Sequence, residues 1–202
     1  MKKFLVILVC MFISLCSYAQ PKLLIYEGQT NIYASVNKQQ EAVVWFTSNY
    51  TSGDAETSYL ACGGVKNINL LHDEFVFLKN KLLEYDKIAE ENNIDSVEKI
   101  ICDIKGFTTG NWFIWNNAFQ IGLCTGNKFS NNYPKAKYIL SNGTSNIIIY
   151  GWYKMYTNKY VDVYSSIILN SDNIDDYINL LGDYNAIVKL INDDINKNNL
   201  FN

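Results

Sequence analysis

The chain carries one histidine, His72, and five cysteines, Cys10, Cys16, Cys62, Cys102 and Cys124. A thiol beside an imidazole is the raw material of a nucleophile and its base. No local signature around Cys62, Cys102 or Cys124 marks such a pair, and His72 reads more simply as a capping or surface residue. Zinc held by three cysteines and a histidine is possible by count alone. Structural zinc sites usually bring a Cys-x-x-Cys pair, and none is written here. Gly-x-Gly-x-x-Gly, Gly-Lys-Ser/Thr and Gly-x-Ser-x-Gly motifs are also absent, as is an Asp-x-Asp-x-Asp-Gly calcium loop. No catalytic residue, metal ligand or cofactor is therefore assigned from sequence.

Carboxylates gather at Asp172, Asp175 and Asp176 and again at Asp193-Asp194. The first group stands where a helix should begin, and a helix N-terminus favours negative charge. Paired carboxylates for glycoside hydrolysis are defined in space rather than along the chain. A hydrolase of glycan or peptidoglycan thus stands as the alternative to a binding protein, with a structural surface protein as a third possibility.

The least ordinary residues are aromatic. Tyr150, Trp152 and Tyr156 fall on one side of an alternating run, opposite Ile147, Ile149 and Met155. Tyr160, Asp162 and Tyr164 alternate with Val161 and Val163 in the next run. Successive strand residues point to opposite faces. If the aliphatic sides meet helices, Tyr150, Trp152, Tyr156, Tyr160 and Tyr164 line an open face. Tyrosine and tryptophan offer flat contact area with a polar edge, suited to a protein surface or a sugar ring. These five are the candidate binding residues. Aromatic cross-strand pairs also stabilise sheets without any ligand.

The elements that must position them begin with an address. Met1-Lys2-Lys3, an apolar run from Phe4 to Cys16, and Ser17-Tyr18-Ala19-Gln20 have the plan of a secretory signal peptide. The spacing predicts cleavage after Ala19 and a product that is exported, periplasmic or secreted. Anchoring through a lipid on Cys16 fits less well, because Leu15 occupies the position where a small residue is needed. Losing residues 1–19 removes two of 17 lysines and none of 20 acidic residues, moving the formal charge from −3 to −5. It also leaves an odd three cysteines, and an oxidising compartment predicts one disulfide among Cys62, Cys102 and Cys124.

All basic residues are lysine; there is no arginine. An acidic chain without the bidentate guanidinium is a poor partner for phosphate-rich nucleic acid. The expected partners are a protein or a glycan outside the cytoplasm. No second apolar run reaches the roughly 20 residues needed to span a bilayer.

Residues 20–202 read as one α+β domain. Strand patterns cover residues 23–26, 31–36, 41–47 and 59–65, with Gly63-Gly64 suggesting a bulge. An amphipathic helix follows over 73–91, with His72 just before it. A second set runs through 99–105, 112–115, 119–124, 138–140, 146–156 and 160–169. Within it, Ile100, Cys102 and Ile104 are expected on one inward face, and Asn142-Gly143 marks a hairpin. A last helix, capped by Ser171 or Asp172, is open to a break at Gly182. Strands in runs, each run ending in a helix, predict an antiparallel sheet or two joined half-sheets, with both helices on one face. The helices align at an offset of 99 residues (Phe75 with Ile174, Leu82 with Leu181), which suggests a weak internal repeat of roughly 20–96 and 97–202.

Overall fold

The computed structural model describes residues 22–27, 30–36, 41–48, 50–51, 57–107, 111–115, 118–122, 133–156 and 160–199, with side chains over 32–35, 41–48, 60–107, 133–151 and 164–193. Within it lie eleven strands and three helices in two antiparallel sheets. The strands are β1 (Lys22–Glu27), β2 (Thr30–Val36), β3 (Ala42–Thr47), β4 (Tyr50–Thr51), β5 (Thr57–Gly63), β6 (Ser96–Asp103), β7 (Asn111–Trp115), β8 (Ala118–Gly122), β9 (Lys135–Ser141), β10 (Thr144–Tyr156) and β11 (Tyr160–Leu169). The helices are α1 (Val65–Glu91), α2 (Ile174–Leu181) and α3 (Tyr184–Asn199).

The first sheet has the order β1-β2-β3-β5-β7-β8, and the second β4-β11-β10-β9-β6. Each is built around a four-strand meander that leads into a helix: β1-β2-β3-β5 into α1, and β6-β9-β10-β11 into α2. The meanders also trade strands. β4 leaves the first to pair with β11, and the β7–β8 hairpin leaves the second to pair with β5. A corner joins the sheets. There the Ser48 hydroxyl accepts from the Ser166 N–H at 2.8 Å and donates to its carbonyl at 3.2 Å.

The inner faces of both sheets share one core with the helices. Ile32, Ala34, Val44, Phe46, Leu60 and Cys62 come from the first sheet. Tyr138, Leu140, Ile147, Ile149, Ile167 and Leu169 come from the second. Phe46 is fully buried, its ring meeting Phe75, Phe107 and Tyr177 edge-on at 5.4–6.2 Å between centroids.

Three local expectations are corrected. The first helix starts at Val65, so His72 lies within it rather than before it. Gly64 is not part of a bulge. Its φ of 79° turns the strand directly into the helix, a conformation that favours glycine. The cap of α2 is Asn173, not Ser171 or Asp172; Asn170 ties this turn by accepting from the backbone N–H groups of Asp172 and Asn173. The Gly182 break does occur, separating α2 from α3.

At the 99-residue offset, Phe75 and Ile174 are both buried in helices, as are Leu82 and Leu181. Leu70, however, is an exposed helical residue where Leu169 is a buried strand residue.

Candidate functional site

Sheet pairing sets the five candidate residues on one face of the second sheet. In the β10–β11 register, Tyr150 stands opposite Ser166, Trp152 opposite Tyr164, Lys154 opposite Asp162, and Tyr156 opposite Tyr160. Residues directly opposite share a face. The other face carries Ile147, Ile149, Ile167 and Leu169, all fully buried in the core. Tyr150 and Tyr164 are half-buried, with ring centroids 6.3 Å apart and planes tilted by 30°. For Trp152, Tyr156 and Tyr160 the described structure is this backbone register; their side chains lie outside the described residues.

Charges frame the rings. On β9, Lys137 sends its amine to Glu98 of β6 at 2.8 Å and lies 5.8 Å from the Tyr150 ring centroid. A cation over an aromatic face is attracted by the ring quadrupole. Lys135 sits opposite Tyr150 on one side and Asp103 on the other. The face therefore pairs lysines with carboxylates around an aromatic centre, leaving little net charge.

β6 departs from the sequence expectation. A register shift between Ile100 and Cys102 inserts one extra residue. An odd insertion flips the strand's facing. Ile100 consequently opposes Lys137 on the outer face and is 58% exposed, whereas Cys102 opposes Ala136 on the inner face. Ile104 is buried as expected.

The thiols are not poised for chemistry. Cys62 and Cys102 are both free, so the disulfide expected among Cys62, Cys102 and Cys124 joins neither. They stand on different sheets, Cys62 facing the core from β5 and Cys102 half-buried on β6; Cys124 lies outside the described residues. Burial, with the nearby Glu74 carboxylate, pushes both thiol pKa values up, against the thiolate a nucleophile needs. His72 turns Nδ1 to Asp73 at 3.0 Å and packs by Gly182, where an added Cβ would come 3.5 Å from Nε2. Among the described residues, no three His, Cys, Asp or Glu side chains converge to hold a metal ion. Asp175 of the acidic run is bridged to Lys79 of α1 at 2.6 Å.

Glu74 is the residue that sequence reasoning missed. It occupies a polar position of α1, yet its carboxylate accepts from the N–H groups of Lys105 and Gly106 at 2.7 and 3.0 Å. Desolvation raises its pKa against the pull of those donors. Both oxygens are thus engaged in holding the chain that leaves β6. Gly106 permits the approach, since a Cβ there would lie 2.6 Å from that of Leu71.

Comparison of the chain with protein-family models, with curated proteins and with solved structures returns no match.

Proposed function

We propose that this chain is an exported, non-enzymatic binding protein that engages a protein partner outside the cytoplasm through the outer face of its second sheet. The observation that carries the reading is the Tyr150–Tyr164 pair, half-buried and 6.3 Å apart on the face turned away from the core. Tyrosine and tryptophan at the centre of a patch, with charges at its rim, is the composition of a protein interface. Lysines alternate with carboxylates on this face, an arrangement that favours a mixed-charge protein surface over a uniform polyanion. Export rests on the plan of residues 1–20. No helix among the described residues is long and apolar enough to cross a membrane.

The test uses the exported chain and a Tyr150→Ser/Trp152→Ser/Tyr164→Ser variant with matched thermal melts. Each is immobilised against the secreted proteins of the source cell and, separately, probed on a glycan array at micromolar concentration. The expected result is a protein ligand retained by the parent, lost by the variant, with a silent array. Equal retention by both would overturn the site, and array binding would move the partner class to glycan. Intact mass beginning at Gln20 is expected for the exported product; a lipid adduct on Cys16 would refute the cleavage.

A further inference from the structure

Among the described residues, β6 closes one end of the second sheet and pairs on one side only, with β9. Its other side leaves alternate backbone N–H and C=O groups open, a template for another strand. Eight large apolar side chains are exposed among the described residues, and five of them lie on β6, on the turn leading into it or on one flank of α1. Ile94 and Ile100 lie on the chain of β6 and the turn leading into it. Leu70, Phe77 and Ile88 lie on one flank of α1, at spacings of seven and eleven residues that return to the same side of a helix. That flank also carries Glu74 and Tyr85, which reach the β6 chain. Glu74 holds Lys105 and Gly106, and Lys99 sits 4.5 Å from the Tyr85 ring centroid. The open edge therefore runs beneath an apolar shoulder.

We propose that this edge joins two copies of the chain, β6 against β6, antiparallel about a two-fold axis at Val97. Charge selects the register. Centring on Glu98 or Lys99 would set like charges face to face, which is unfavourable across strands. Centring on Ile100 runs into the register shift between Ile100 and Cys102. Centring on Val97 places Asp95 of each copy opposite Lys99 of the other, Ile94 opposite Ile100, and Ser96 opposite Glu98. Val97 and Lys99 face inward, opposite Leu140 and Tyr138, so the Asp95–Lys99 pairs form beside Tyr85. The isoleucine pairs form on the outer face, where Ile100 is 58% exposed. The shift at Ile100 confines regular pairing to residues 94–100. The two apolar shoulders then face each other across the axis, and the two aromatic faces lie on the same side of one continuous sheet.

The experiment is sedimentation velocity across a concentration series, with circular dichroism confirming that each variant is folded. The parent is expected to dimerise. Asp95→Lys and Lys99→Asp alone each set like charges opposite at both symmetric positions, raising the dissociation constant by about tenfold or more. Mixing these two variants restores opposite charge at both positions, and a heterodimer of parental affinity is expected. The double variant Asp95→Lys/Lys99→Asp should likewise dimerise with itself. A parent that stays monomeric at every concentration overturns the proposal. So does a dimer that tolerates both single variants, or a mixture that fails to associate.

Discussion

The two sheets treat their faces differently. In the first, β3 is apolar on both sides: Val44 and Phe46 enter the main core, while Val43 and Trp45 form a second buried cluster with Ala61 on the back. The Trp45 indole N–H donates to the Ser35 hydroxyl at 2.8 Å within that cluster. In the second sheet, β10 sends Ile147 and Ile149 to the core but turns Tyr150 and Lys137 of the neighbouring strand outward. A sheet apolar on both faces is scaffolding; one that keeps tyrosines and paired charges on its far side has surface to offer a partner.

The sharpest way to break this contrast is Phe46→Ala. Truncating a fully buried ring that meets three other aromatic rings should cost about 3–5 kcal/mol of stability, read by chemical denaturation. A loss near 1 kcal/mol would mean that the first sheet is not the anchor of the core. Next in size is Glu74→Ala. It strips two backbone N–H groups of their acceptor and should cost about 1–3 kcal/mol.

The same residue makes a signed pH prediction. Burial raises the Glu74 pKa above its ordinary 4.5, so the folded chain holds this proton more tightly than the unfolded chain does. That stabilising contribution is complete below about pH 4.5 and is lost as pH climbs through the raised folded value. Glu74→Gln cannot ionise and should show a flatter stability–pH curve there; an unchanged slope would refute the shift.

The smallest effect belongs to the outer face. Tyr150→Ser with Tyr164→Ser should change stability by at most about 1 kcal/mol, as expected for one cross-strand pair. The same variant should lose the partner. A large loss of stability would make these rings structural and erase the distinction between the sheets.

What could be read from sequence was local. The Asn142-Gly143 turn, with φ of 51° and 76°, follows from residue type, and the β10–β11 hairpin follows from alternation. Gly182 announces the helix break. The start of α1 was hidden because Lys66, Asn67 and Asn69 dilute a period that Ile68, Leu71 and Phe75 nonetheless keep. Ile100 was misplaced because the register shift that turns it outward depends on pairing with β9, a partner more than thirty residues along the chain. Glu74 escaped for a similar reason. Its role is defined by a loop brought to it by tertiary structure, and its side chain looks like any other solvated glutamate on a helix.

Covers are shared between the two halves of the fold. α1 follows the first meander and packs on its β5, but also lies on β9 and β10 of the second sheet, where Asp86 receives the Tyr138 hydroxyl at 2.8 Å. α3 follows the second meander but lies on β2 and β3, where its Tyr184 hydroxyl accepts from the Ala42 N–H at 3.2 Å. The first sheet consequently takes part of its cover from α1, whose Phe75 meets Phe46, and part from α3, more than a hundred residues further along the chain. Such non-local closure slows folding. The first sheet is covered in full only once α3 has docked on β2 and β3.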